Sequence, residues 1–191
     1  MNPAAPAAVL DFWFGPPPWA QREAWFRKDP AFDETVRARF GVTLEAAVAG
    51  ALAPEWNDSP AARLAQLIVL DQFTRNAFRD NARAFAGDAL ALALARGMLA
   101  AGEDAQMPPL ARWFIYLPLE HAEDLVAQDH CVQLFEALAA AEPALAGALD
   151  YAHRHREVIR RFGRFPHRNR ALGRADTPAE SDYLAQPGAG F

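Results

Sequence analysis

The sequence predicts an all-α protein. Apolar residues recur with the three- to four-residue spacing of helices, and no stretch shows the alternation of polar and apolar residues that is typical of a strand. A capping side chain followed by proline, which favours a helix start, occurs at residues 29–30, 59–60 and 177–178. We therefore expect eight or nine helices joined by short, proline-marked turns.

Length and composition indicate one helical domain. The chain has 191 residues, of which 52% are hydrophobic, and this is enough for one substantial core. We expect a single domain over residues 1–191. Within it we expect a loop at 16–22, an arginine-rich irregular segment at 163–177 and a flexible tail at 186–191.

Charge and cysteine content exclude several classes of protein. A net charge of −5 argues against a general nucleic-acid surface, because such surfaces must neutralise many phosphates. The lone Cys131 rules out an internal disulfide and suits a reducing compartment. No signal peptide or apolar run long enough for a membrane span is visible. We expect a cytoplasmic protein without nucleic-acid or membrane partners.

The first elements follow from local signals. Residues 7–14 form a short apolar segment, stopped by Gly15 and three prolines, which we interpret as an N-terminal lid. Asp29 and Pro30 then start a helix. Its apolar stripe recurs every four residues, at Phe32, Val36, Phe40, Leu44, Val48 and Leu52.

A third helix begins at Ser59 and Pro60 and runs toward residues 71–73, and a loop at 76–81 follows it. Residues 87–101 are almost entirely alanine and leucine and end at Gly102, a usual C-terminal cap. We expect this helix to be central and buried.

The C-terminal half contains four predicted helices. Pro108 and Pro109 open the first, which Pro118 bends or breaks. Asp129 caps the second, which ends near residue 141. A long helix follows Pro143 and ends at Gly163, and residues 177–180 have the capping-box spacing that starts a last short helix.

Positive charge concentrates in residues 154–174, which hold eight arginines and one acid. Helical phasing directs Arg154, Glu157 and Arg161 away from the apolar face, so we expect them at the surface. Beyond Gly163, proline at 166 restricts the backbone and fixes a rigid turn. We expect this turn to face residues 71–76 and 120–123 across a cleft.

This cleft is the predicted binding site for an anionic small molecule or a peptide carboxylate, because guanidinium groups bind carboxylates and phosphates in bidentate fashion. The candidate ligand-binding residues are Asp71, Gln72, Arg75, Asn76, Arg161, Arg164, His167, Arg168 and Asn169. A protein partner is also possible. The alternative is a purely structural cluster in which the arginines pair with acids of the same chain.

An acid–base role is the second hypothesis. His121 lies between Glu120 and Glu123, either of which could orient the imidazole and raise its basicity. The alternative is a hydrogen-bonded core histidine. No zinc-ligand spacing is present, and His153 and His155 face different ways on a helix, so we expect no metal site and no cofactor.

Three motifs occur together: Asp-Gln-Phe-Thr-Arg-Asn at 71–76, Tyr-Leu-Pro-Leu-Glu-His-Ala-Glu at 116–123, and Arg-Phe-Gly-Arg-Phe-Pro-His-Arg-Asn at 161–169 with Leu-Gly-Arg at 172–174. In these motifs the chain resembles the bacterial family catalogued as domain of unknown function 924. The resemblance implies a helical fold similar to tetratricopeptide arrays, with antiparallel helix pairs, and implies no activity. Thr74 stands where the family commonly has proline, and Ala122 where it commonly has serine.

Overall fold

The computed structural model describes residues 2–190, and these residues form helices and turns without a β-strand. The all-α class and the predicted number of helices are confirmed. The α-helices of this part of the chain are α1 (Pro6–Phe14), α2 (Pro30–Val48), α3 (Pro60–Leu67), α4 (Thr74–Ala77), α5 (Asp88–Ala100), α6 (Pro109–Glu120), α7 (Leu125–Ala141), α8 (Ala146–Phe162) and α9 (Pro178–Leu184). Within residues 2–190, no helix combines the length and the apolar character that a bilayer crossing requires.

The chain divides into two compact units. The first contains the residues up to Arg79 together with Arg83–Pro118. The second contains Asp80–Ala82 and the residues from Leu119 onward. A single domain over 1–191 stays a prediction, and so does the flexibility of the tail at 186–191, whose last residue lies outside the described part of the chain.

An aromatic cluster forms the core of the first unit, and α1 lies within it. Trp13 and Phe14 are buried, and both make edge-to-face contacts with Phe114, at centroid distances of 5.5 and 5.4 Å. Such pairs add to the free energy gained by burying apolar area. The segment interpreted as a lid is therefore a helix of the core.

The predicted helix starts are confirmed by their hydrogen bonds. The Asp29 carboxylate accepts from the amides of Ala31 and Phe32, and the Ser59 hydroxyl accepts from the amide of Ala62. These side chains satisfy amides that the first helical turn leaves without intrahelical partners.

Beyond α3 the helix widens into a π-helical segment, Ile68–Phe73, before α4 begins. All six residues of this segment are buried. The Thr74 hydroxyl donates to the Leu70 carbonyl at 2.8 Å. Single π-turns inside α-helices occur often at functional sites, and this one contains the first half of the motif at 71–76.

The expectation that α5 is buried is wrong for most of the helix. Only Ala91, Ala95 and Met98 of this helix are buried, while Leu90 is 41% exposed. The buried positions are spaced four and three residues apart, so one face packs against the core. Alanine favours a helix through its backbone preference and does not require burial, which explains why composition misled the prediction.

In the second unit, α7 begins earlier than expected. Asp124, not Asp129, caps it by accepting from the amide of Val126 at 3.0 Å. Asp129 is an exposed residue in the second turn, 3.6 Å from Arg156 of α8. Helices α7 and α8 pack together, and Gly163 ends α8 in the left-handed conformation, with φ of 69°.

Two further expectations concern Pro118 and α9. Helix α6 is not broken at Pro118 but continues to Glu120. Proline removes one amide donor, and the neighbouring helical bonds remain. The capping box of α9 is confirmed, because Thr177 accepts from the amide of Glu180 and the Glu180 carboxylate accepts from the amide of Thr177.

Candidate functional site

The predicted site residues lie in both units, and four of them lie in the first. Arg75 donates to the Asp71 carbonyl at 2.7 Å and forms a bidentate pair with Asp88 at 2.9 and 3.1 Å. Burial lowers the pKa of Arg75, but the carboxylates of Asp71 and Asp88 outweigh this effect and raise it. Arg75 is therefore a charged residue held by acids of its own unit.

The other two candidate residues of this motif also make hydrogen bonds within the first unit. Gln72 donates to the Asp71 carboxylate at 2.6 Å, and Asn76 donates to the Asp33 carboxylate at 2.8 Å. Arg79 also pairs with Asp33. These contacts join the end of the π-segment to α2. The predicted cleft between these residues and the arginine-rich turn stays a prediction.

In the second unit, the turn after α8 is built around Phe165, which is fully buried. The rings of His155 and His167 each lie 5.5 Å from the Phe165 ring, and the guanidinium carbon of Arg168 lies 4.5 Å from it. Arg168 also donates to the backbone carbonyl of His121 at 2.9 Å. The second and third motifs therefore meet at this point.

Glu120, His121 and His155 form the polar part of this cluster. His155 Nδ1 lies 2.8 Å from the Tyr151 carbonyl and 3.3 Å from Glu120 Oε1. Because a carbonyl can only accept, Nδ1 carries a proton and Nε2 keeps its lone pair. Burial and the neighbouring His121 lower the pKa of His155 to about 3, so the ring is neutral near pH 7.

The backbone that carries Glu120 and His121 is held by Gln128 of α7. The Gln128 side chain is fully buried, and its amide group lies within 3.3 Å of the Leu119 carbonyl, 2.5 Å of the Glu120 carbonyl and 2.9 Å of the Ala122 carbonyl. The carbonyls at the end of a helix have no intrahelical donor, and Gln128 supplies one. Together with Arg168, it fixes the position of the 120–122 segment.

Glu123 and two arginines stabilise the turn. Arg174 makes a bidentate pair with Glu123 at 2.7 and 2.9 Å, and the same carboxylate accepts from the amide of Phe165 at 2.8 Å. Partial burial raises the pKa of Glu123, but the hydrogen bonds from Arg174 and Phe165 outweigh it, and the pKa lies below its usual value. Arg164 is held in the same way by Glu180, at 2.6 and 2.8 Å.

The remaining predicted residues differ in exposure. Asn169 is buried, donates to Asp176 at 2.7 Å and accepts from Arg174 at 2.8 Å. Arg161 is exposed, with its guanidinium carbon 4.7 Å from the ring centroid of Phe162. Arg154 and Glu157 are exposed as well, so helical phasing predicted this face correctly.

A family model described as bacterial protein of unknown function, DUF924, matches residues 9–188. The chain belongs to this family. A similar structure has been solved for a protein of unknown function from Agrobacterium tumefaciens, ATU0120, with 38% sequence identity and a TM-score of 0.82. The match covers 94% of this chain and 96% of that one. No curated protein matches the chain. Both the family and the solved structure are described as of unknown function, so these comparisons assign the chain to a family without assigning it an activity.

His155, Gln128 and Arg174 belong to the site but were not predicted from the sequence. A signal was present for His155, because it follows Ala148 and Ala152 by seven and three residues and so lies on the buried face of α8. Polar residues on a buried helical face need hydrogen-bond partners. No comparable local signal exists for Arg174, whose partner Glu123 lies 51 positions earlier.

The pairing of Glu180 predicts a pH dependence of stability. Hydrogen bonds from Arg164 and from the Thr177 amide lower its pKa to about 2, from 4.5. Because the folded-state pKa is depressed, ionised Glu180 stabilises the fold above about pH 4.5, and this contribution is lost as the pH falls toward about 2. In urea unfolding, the difference in stability between the wild type and Glu180→Gln should be constant above about pH 5 and narrow below it. A difference that does not change with pH would contradict this role.

Proposed function

We propose that this DUF924 protein binds an anionic group through Arg168, His121 and His167 of the second unit. The ligand would be a carboxylate or phosphate, carried by a small molecule or by a peptide end. The best support is that the segments carrying these three residues come together around the buried ring of Phe165. Guanidinium and imidazole groups are common donors to such anions.

The proposal assigns different roles to the arginines of the turn. Arg164 and Arg174 each form bidentate pairs with a carboxylate of the second unit, and they hold the turn in place. Arg168 is only 6% exposed, and in a site of low dielectric its charge acts more strongly on a ligand than it would in water. We therefore propose that Arg168 makes the main contact with the bound anion.

The other predicted ligand residues stay a proposal within their own units. They are Arg161, Arg164 and Asn169 of the second unit and, separately, Asp71, Gln72, Arg75 and Asn76 of the first. Gln72, Arg75, Asn76, Arg164 and Asn169 already donate hydrogen bonds within their own unit. We also propose a cytoplasmic location and a tetratricopeptide-like pairing of antiparallel helices. A protein partner would supply the anionic group from a peptide end. A binding module of this kind would bind the anion without catalysing a reaction.

Calorimetric titration with inorganic phosphate and with succinate tests the proposal. Arg168→Gln should weaken binding of at least one of these probes by about 10- to 100-fold, since a hydrogen bond to a charged group contributes about 1.5–3 kcal/mol. Arg170→Gln is the matched control, because Arg170 is an exposed arginine of the same turn. Equal affinities of the two variants, or no binding of either probe to the wild type, would overturn the proposal.

An enzyme on a small anionic substrate is the second candidate, with His121 as acid or base and Glu120 orienting it. Its support is the 2.9 Å hydrogen bond from Arg168 to the His121 backbone, which puts an acid–base group beside an anion-binding group. Glu123 is engaged with Arg174 and would act on the turn rather than on His121. Turnover of p-nitrophenyl phosphate or p-nitrophenyl acetate that is lost in His121→Ala would support this candidate, and turnover that persists would exclude it.

A further inference from the structure

We propose that Glu120, His121 and His155 together bind one divalent transition-metal ion. A ligand atom from each residue, one carboxylate oxygen and two imidazole nitrogens, lies within 4.8 Å of the other two. Two histidines and one carboxylate are a ligand set that zinc uses in catalytic sites and that non-haem iron uses as well. The proposal goes beyond anion binding and does not depend on it.

The separations suit a metal after a small movement of the side chains. Ligand atoms at about 2.1 Å from a tetrahedral ion lie about 3.4 Å from one another. Since the ligand atoms lie within 4.8 Å of one another, each pair would have to approach by at most about 1.4 Å. Glu120 and His121 lie at the last residue of α6 and just beyond it, and His121 is half-buried, so rotation of its side chain can supply part of this movement.

The hydrogen bond of His155 orients the ring for this role. Metal-binding histidines nearly always donate their other ring N–H to a backbone carbonyl, a carboxylate or water. His155 does so through Nδ1, at 2.8 Å from the Tyr151 carbonyl, which leaves Nε2 as its nitrogen for an ion. Because Glu120 Oε1 lies 3.3 Å from this same Nδ1, the Glu120 carboxylate must also rotate toward Nε2 when the ion binds. An ion at Nε2 takes the lone pair that the Nδ1–H tautomer leaves there.

The backbone of the other two ligands is fixed by separate partners. Gln128 donates to the carbonyls of Glu120 and Ala122, and Arg168 donates to the carbonyl of His121. Such supporting contacts reduce the entropy that the ligands lose on binding an ion. The site therefore has three ligands on two helical elements, and its supporting contacts involve a third helix and the turn.

Charge decides what else the ion would hold. The three ligands contribute one negative charge, and Arg168 adds a positive charge close to His155. A dication bound there would leave the site cationic, so its remaining coordination positions would favour an anionic ligand such as a carboxylate. The arrangement resembles sites in which a metal ion and an arginine bind the same anion.

Zinc titration of the full-length, chelator-treated protein in a phosphate-free buffer tests this inference. Calorimetry should give one Zn²⁺ per chain, and Co²⁺ should give the visible absorption of a nitrogen- and oxygen-liganded ion. His121→Ala should weaken zinc binding by at least about 100-fold, since the loss of a supporting contact alone costs about 10- to 100-fold. Glu120→Gln, which keeps the shape of the side chain, should weaken it as well.

His153→Gln is the matched control, because His153 lies on the same helix two positions before His155 and does not belong to the ligand cluster. It should leave zinc affinity unchanged. Zinc binding that is absent from the wild type, that survives both His121→Ala and Glu120→Gln, or that is lost in His153→Gln would overturn the inference. A separate titration of metal-free protein with inorganic phosphate reports on the anion proposal alone, so the two can fail independently.

Discussion

Replacing Gly87 with alanine should lower the free energy of unfolding of the first unit by about 3 kcal/mol, the upper end of the range for overpacked sites. A Cβ at this position would lie 2.2 Å from the Leu70 carbonyl oxygen and 2.9 Å from its carbonyl carbon. Leu70 belongs to the buried π-helical segment, so moving its backbone or that of Gly87 to relieve the clash would disturb packed residues. Urea unfolding followed by circular dichroism measures the loss.

Gly97→Ala is the control for this substitution. Gly97 lies within α5, ten positions after Gly87, and a Cβ there would meet nothing within 4 Å. Alanine in a helix interior is favoured over glycine by about 0.5–1 kcal/mol, so this variant should be more stable than the wild type. If both variants were stabilised, the close approach of Gly87 to Leu70 would be contradicted.

Helix starts were predictable from the sequence because their causes are local. Asp29, Ser59 and Thr177 each cap a helix with their own side chain, and a proline follows each of them at the first helical position. The interaction spans at most four residues, so a short window contains everything that determines it. Asp124 acts in the same way, but no proline follows it, and the predicted cap at Asp129 was wrong.

The π-segment was not predictable from local pattern. Residues 68–73 continue the apolar run of α3, and the same run would fit an α-helix equally well. This segment packs against Gly87, which lies fourteen or more residues later in sequence. The contact exists only in the folded chain, so no local pattern reveals it. The predicted burial of α5 was wrong for a related reason, because the sequence of an alanine-rich helix does not show which face packs against another element.

Part of the candidate site was predictable because unusual residues cluster in sequence. The concentration of arginines, with glycine and proline between them, identified the turn that contains Arg164 and Arg168. Its partners come from distant positions: Glu180 holds Arg164, and His121 accepts from Arg168 across 47 residues. A search for metal ligands by spacing likewise could not join His121 to His155, which lies 34 positions later on another helix.

Gln128→Leu should destabilise the second unit by about 2–4 kcal/mol and weaken zinc binding by about tenfold. The Gln128 amide group is the donor that the carbonyls of Glu120 and Ala122 share, and each buried acceptor left without a donor costs about 1–3 kcal/mol. Leucine has a similar volume and suits the buried position, so the loss reports on hydrogen bonding rather than on a cavity. Urea unfolding gives the stability, and calorimetry gives the zinc affinity.

Gln133→Leu separates this effect from the substitution itself. Gln133 lies on the same helix five residues later and is exposed, so its replacement should change stability by less than about 0.5 kcal/mol. A Gln128→Leu variant as stable as Gln133→Leu would show that the 120–122 segment does not depend on α7 for its position. If stability falls and zinc affinity does not, Gln128 supports the fold alone, because a contact that orients metal ligands must act on both quantities.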